Sequence, residues 1–201
     1  LPATLAFLRT VAGALGREAA AEALIDRELR DIMPRLEFVA PYQFLHRRLV
    51  FVGDPFHAQG FLDIAEDLGC AVPFVGVTAC ARRGREVVAP PGTEVMVDPR
   101  LTAFVRRFGV LSQSARLVVS CNTGASRQGH GYLEFGLLSY YRHALYDRPF
   151  LGFRGFMAFV DDMARELVRV DLVRVQAERD AAEGGGPGAA LLAGPGGGGG
   201  H

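Results

Sequence analysis

The sequence contains no lysine: all 22 of its basic residues are arginine. Schiff-base and lysine-nucleophile chemistry within the chain are therefore excluded. Cysteine is scarce. Cys70, Cys80 and Cys121 are far apart, odd in number and in no CxxC arrangement, so neither a disulfide framework nor a self-contained zinc site is indicated. A reducing, cytoplasmic setting is expected from that usage. Net charge is missing too: the 22 arginines face 22 acidic residues, and the pI is about 7.1. That balance argues against a protein organised around nucleic-acid phosphates or anionic lipid. No apolar run approaches the ~20 residues that span a bilayer, and the start at Leu1 has no basic segment followed by a short apolar one. Neither nucleic acid nor membrane is an expected partner. The first residue is Leu rather than Met, and the chain is expected to be a piece of a longer protein.

What is present is apolar substance. Hydrophobic residues make up 49% of the 201 and charged residues 22%, enough to bury one core. From Pro2 to about Arg35, Leu5, Leu8, Val11, Ala12 and Leu15, then Ala20, Leu24, Ile25, Leu29 and Ile32, recur at helical spacing. Gly13 and Gly16 mark a break between two helices, and the second is expected to stop before Pro34. This makes a helical lead-in over 1–35.

Over 36–175 the pattern changes to alternating strands and helices. Leu49 to Val52 form a continuous apolar run ended by Gly53-Asp54-Pro55, as a buried parallel strand would be. A helix after Pro55 is ended by Gly69, and a second strand covers Val72 to Thr78. Further strands are expected at Glu94 to Val97, Leu117 to Cys121 and Phe135 to Leu138, with helices at Leu101 to Phe108 and from about Gly155 to Val175. The alternation predicts an α/β fold, a single doubly wound, mainly parallel Rossmann-like sheet. Residues 176–201 collapse to Ala, Gly and Pro and read as a disordered Gly-rich tail.

In such a sheet the carboxyl ends of the strands face the ligand crevice. Gly53, Asp54, Pro55, Phe56 and His57 follow the first strand, Ala79 and Cys80 the second, Cys121, Asn122 and Thr123 the fourth, and Ser139 to His143 the fifth. The Gly53 turn has neither GxGxxG spacing nor a GK[ST] ending, so it does not indicate nucleotide binding. Its simplest reading is a turn glycine followed by an N-capping carboxylate. A free cysteine at a strand end is most often a small buried apolar residue, and His57 and His130 read as solvated or hydrogen-bonded loop histidines. His143 lies in a dense run of polar aromatics and arginines, Ser139 to Arg148. That run suits a cavity lining, where imidazole can ligate iron or donate a proton, and equally a subunit interface.

Taken in order, several segments resemble one family. They are the helical stretch Thr4 to Arg30 ending in Asp26-Arg27-Glu28-Leu29-Arg30-Asp31, then Leu45-His46-Arg47-Arg48-Leu49-Val50-Phe51-Val52-Gly53-Asp54-Pro55, then Leu68-Gly69-Cys70-Ala71-Val72-Pro73. Val118-Val119-Ser120-Cys121-Asn122-Thr123 resembles a strand ending in Gly-Asn-Ser, and Pro149-Phe150-Leu151-Gly152-Phe153-Arg154-Gly155 an aromatic Gly-[FY]-x-Gly entry into the last helix. Over about Thr4 to Arg169 the chain resembles the C-terminal Rossmann-like domain of the nitrogenase component 1 superfamily.

The resemblance implies an oxidoreductase subunit paired with a sister component 1 subunit and fed electrons by an ATP-dependent iron–sulfur reductase. It implies an iron–sulfur or related metal cofactor in the full assembly, with none bound by this part alone. Aligned from Phe135-Gly136, His143 falls where the catalytic subunit of dinitrogenase has the histidine that ligates its iron–molybdenum cofactor. His143 is thus the implied catalytic and metal-contacting residue, and Gly53, Asp54, Cys121 and Asn122 join it as implied cofactor contacts. The family's cluster-bridging cysteines lie in an N-terminal domain this chain does not include, and Cys121 stands where the family has glycine. A nitrogenase-like reductase subunit is therefore expected ahead of a true dinitrogenase. A non-catalytic cofactor-assembly scaffold and a small-ligand-binding α/β module are the alternatives.

Overall fold

The computed structural model describes residues 1–77, 87–120, 130–135 and 152–182. The chain opens with a helical hairpin, α1 Pro2–Leu15 and α2 Glu18–Val39. Pro2 stands at the start of α1, where its missing N–H costs nothing. Gly16 closes α1 in the left-handed conformation at φ 62°, the geometry glycine adopts without a Cβ penalty. Ile25 and Ile32 of α2 are buried, with Leu29 and Leu36 packed beside them, one stripe at helical spacing.

The second helix does not stop before Pro34. Pro34 lies on the exposed side of α2, where the carbonyl its ring leaves without a partner can be solvated, while Ile32 and Leu36 on the other side hold the helix to the core. The helix runs directly into a π-helical turn, Ala40–Phe44, closed by a bond from the Leu45 N–H to the Ala40 carbonyl at 2.9 Å. Phe44 is fully buried there.

Five parallel strands follow: β1 Arg48–Gly53, β2 Ala71–Val77, β3 Glu94–Val97, β4 Leu117–Ser120 and β5 Gly131–Glu134, in spatial order β3-β2-β1-β4-β5. Helix α3 Pro55–Asp67 joins β1 to β2, α4 Leu101–Ser112 joins β3 to β4, and α5 Gly152–Ala182 closes the described chain. Alternate residues of β1 point to opposite faces. Leu49 and Phe51 join the larger core with α2, α3 and α5, whereas Val50 and Val52 join a smaller one beneath Phe104, Phe108 and Leu111 of α4. Helices on both faces of a parallel sheet make the doubly wound architecture that the alternation predicts. Among the described residues, no helix is long and apolar enough to cross a membrane.

Three further boundaries differ from expectation, the first being α4, which runs to Ser112 rather than Phe108. The fifth strand is Gly131–Glu134 rather than Phe135 to Leu138, of which 136–138 lie outside the described residues. Gly131 explains its position. A Cβ there would come within 3.0 Å of Glu166 and Leu117 and 3.1 Å of Val170, so glycine lets α5 close over the strand, and the Glu166 carboxylate accepts the Tyr132 N–H at 2.9 Å. The last helix runs to Ala182 rather than Val175, supported at its end by pairs such as Arg174 with Glu178 at 3.0 Å. Residues 176–182 are therefore helical, and the remainder of the expected tail lies outside the described residues.

Candidate functional site

The strand order reverses between β1 and β4. On either side of that point the crossovers leave in opposite directions, so a crevice opens at the carboxyl ends of the two strands. Gly53 ends β1, paired with Val77. It is not one of the positive-φ glycines and so acts as a strand residue rather than a turn glycine. Asp54 follows, and its Oδ1 accepts the backbone N–H of His57 at 3.1 Å, capping the start of α3 as an N-terminal carboxylate should. The other carboxylate oxygen, Oδ2, bonds the Nδ1 of His57. His57 is therefore a helix residue with an oriented imidazole, not a loop histidine. Its ring also meets Phe135 edge-on, with centroids 5.3 Å apart.

Phe135 directly follows β5, and its N–H bonds the carbonyl of Ser120, the last residue of β4, at 3.0 Å. Ser120 is itself buried. The start of α3 is thus fastened to the ends of β4 and β5 across the reversal point through one imidazole and one phenyl ring. Phe135 packs in turn on Phe159 of α5 at 4.3 Å. Beneath this bridge a cavity of about 190 Å³ lies between the start of α1, one side of α3 and the start of α5, walled by Phe61, Phe135, Phe156 and Phe159, with Thr4, His57 and Asp63 as polar lining.

Of the residues expected to touch a cofactor, Gly53 and Asp54 lie at this crevice. Cys121, Asn122 and His143, like Cys80, lie outside the described residues. His130 is buried in the bend that enters β5, on the opposite rim of the sheet, and so is not the solvated form of the expectation. The sequence placed His57 at the crevice but gave it no role there, and it did not point to Phe135 or Asp63. The available signal was the Asp54-x-x-His57 spacing, which puts a cap and an imidazole on the same turn.

Cys70 is a partly buried structural thiol. It donates to the Phe44 carbonyl at 3.3 Å, and burial pushes it up to about 12, only partly opposed by the nearby Arg47 cation, so at neutral pH it is not a thiolate ligand. Among the described residues, no group of three or more His, Cys, Asp or Glu side chains is arranged to hold a metal ion. A cluster ligand set on this chain would have to include residues outside the described ones. Cys121 and His143 are of that kind, with sulfur and imidazole donors that suit iron.

The sequence model of the family described as nitrogenase component 1 type oxidoreductase matches residues 1–168. No curated protein matches the chain. Among solved structures, nitrogenase Cp1 at pH 6.5 is similar at a TM-score of 0.70 and 19% identity, covering 89% of this chain. Nitrogenase Cp1 at pH 5 is similar at a TM-score of 0.56 and 15% identity, covering 81%. At these identities the likeness is one of fold, and the chain spans 39% of the length of either structure.

Proposed function

The chain belongs to the nitrogenase component 1 type oxidoreductase family, and on that footing we propose that it forms the C-terminal Rossmann-like part of a component 1 subunit of a nitrogenase-like oxidoreductase. In this reading it pairs with a sister component 1 subunit in a reducing, cytoplasmic setting, and an ATP-dependent iron–sulfur reductase delivers the electrons. A metal cluster, when bound, supplies the redox chemistry that hands them to substrate. The observation that carries the reading is the extent of the family match: residues 1–168 take in the helical hairpin, all five strands and the first half of α5.

The chain's own residues then have two tasks. The strand-end segments after β1, β4 and β5 form the ligand edge, with Gly53, Asp54, Cys121 and Asn122 as cofactor contacts and His143 as the catalytic and metal-contacting imidazole. Asp54 bonds the His57 Nδ1 and so holds the imidazole in one orientation beside the reversal point. The test is anaerobic purification of the full-length protein with its partner subunit, followed by iron quantification, optical spectroscopy and ATP-dependent reduction assays with the reductase. Bound iron and ATP-dependent turnover are expected. His143→Ala should abolish turnover or cofactor retention with the fold intact, and unchanged turnover with bound cofactor would remove His143 from the site. Iron that is retained without any turnover would mark a cofactor-assembly scaffold instead.

A further inference from the structure

We propose that the cavity between α1, α3 and α5 is a binding site for a single-ring aromatic molecule carrying one hydrogen-bond donor. Its volume of about 190 Å³ is slightly larger than the roughly 150 Å³ of a dry apolar cavity that takes up benzene. There is room for one ring and one small substituent, and too little for a nucleotide or a macrocycle. Four phenylalanine rings form the wall, and offset or edge-to-face contact with them favours a flat π-system over an alkyl chain.

The polar side sets the substituent. Asp63 is half-buried, and its Oδ1 accepts the Gln59 amide at 2.9 Å. A carboxylate has acceptor sites well beyond one such bond and no donor of its own. The complementary ligand group is therefore a hydroxyl or ring N–H. The His57 ring, turned by Asp54, completes the wall.

Gly60, in the interior of α3, also lines the cavity. A Cβ there would meet no atom within 4 Å, so a side chain can be introduced at position 60 without a clash and used to test occupation of the cavity. The cavity shares His57 with the crevice of the electron-transfer reading, but its test uses no cluster, reductase or partner subunit, so the two can fail separately.

The test is titration of the chain with phenol and, separately, with toluene, followed by NMR chemical shifts and calorimetry. Phenol should give saturable shifts centred on the phenylalanine rings of the cavity. Toluene should bind about fivefold more weakly, the worth of one hydrogen bond, and Asp63→Ala should erase that difference. Gly60→Ala should keep or raise the melting temperature while weakening phenol by roughly threefold or more, and Gly60→Leu should block it, as overfilled cavities do. No saturation by ~10 mM phenol, a concentration generous for so small a ligand, would overturn the proposal. So would equal binding of the two probes, or undiminished phenol binding in the Gly60 variants.

Discussion

At the scale of single residues, environment rather than identity sets the chemistry. Cys70 is a thiol that its surroundings keep neutral, since burial pushes it up to about 12 from an ordinary 9.0. A group whose folded-state value is raised contributes stability that is complete below its unfolded value and is lost as pH rises through the folded one. With Cys80 and Cys121 replaced by serine, the chain should lose stability between about pH 9 and pH 12, and Cys70→Ala should flatten that slope in urea melts. The same thiol should react with a disulfide reagent at pH 8 far more slowly than a free cysteine, because it is protonated there. Rapid labelling of the native state would show that Cys70 is accessible and ionised. Asp54 and His57 teach the complementary lesson. The N-cap role of Asp54 was legible from its place before Pro55, but its bond to the His57 ring depends on how the first turn of α3 leaves the strand.

At the scale of elements, glycines show where helices and strands approach closely. A Cβ on Gly76 of β2 would lie 2.8 Å from the Phe104 ring of α4 and 3.2 Å from the Phe74 ring, so the absence of a side chain is what lets α4 dock. Gly76→Ala should destabilise the chain by about 1–3 kcal/mol, the range for overpacking a tight site. Adding Phe104→Leu should recover part of the loss, and a double variant no more stable than Gly76→Ala in denaturant titration would refute this account. The strands at Leu49 to Val52 and Glu94 to Val97 were readable because short valine-bearing apolar runs bounded by turn residues leave few alternatives. The limits of α2, β5 and α5 were not. Pro34 is tolerated because that side of α2 faces water, β5 begins where Gly131 admits α5, and the end of α5 is held by arginine–acid pairs along its own surface.

At the scale of the whole molecule, stability is unevenly divided between the two faces of the sheet. The larger core joins α2, α3 and α5 to one face, whereas α4 alone covers the described part of the other. Because local opening follows the apolar contacts that must be broken, β1 amides should exchange with solvent only on global unfolding. Those of α4 should exchange through an opening of lower free energy, and native-state hydrogen exchange in low denaturant that found α4 as protected as β1 would contradict this. The sequence by itself determined the fold class, the order of strands and helices along the chain and the family, since periodicity and turn chemistry act over neighbouring residues. Only the tertiary structure decided that β1 and β4 adjoin at the reversal point, that His57 and Phe135 meet there although 78 positions apart in the sequence, and that four phenylalanines from α3, α5 and the end of β5 line one cavity. Those are contacts between segments distant in the chain, and they come into being when burial of both sheet faces fixes which strands are neighbours.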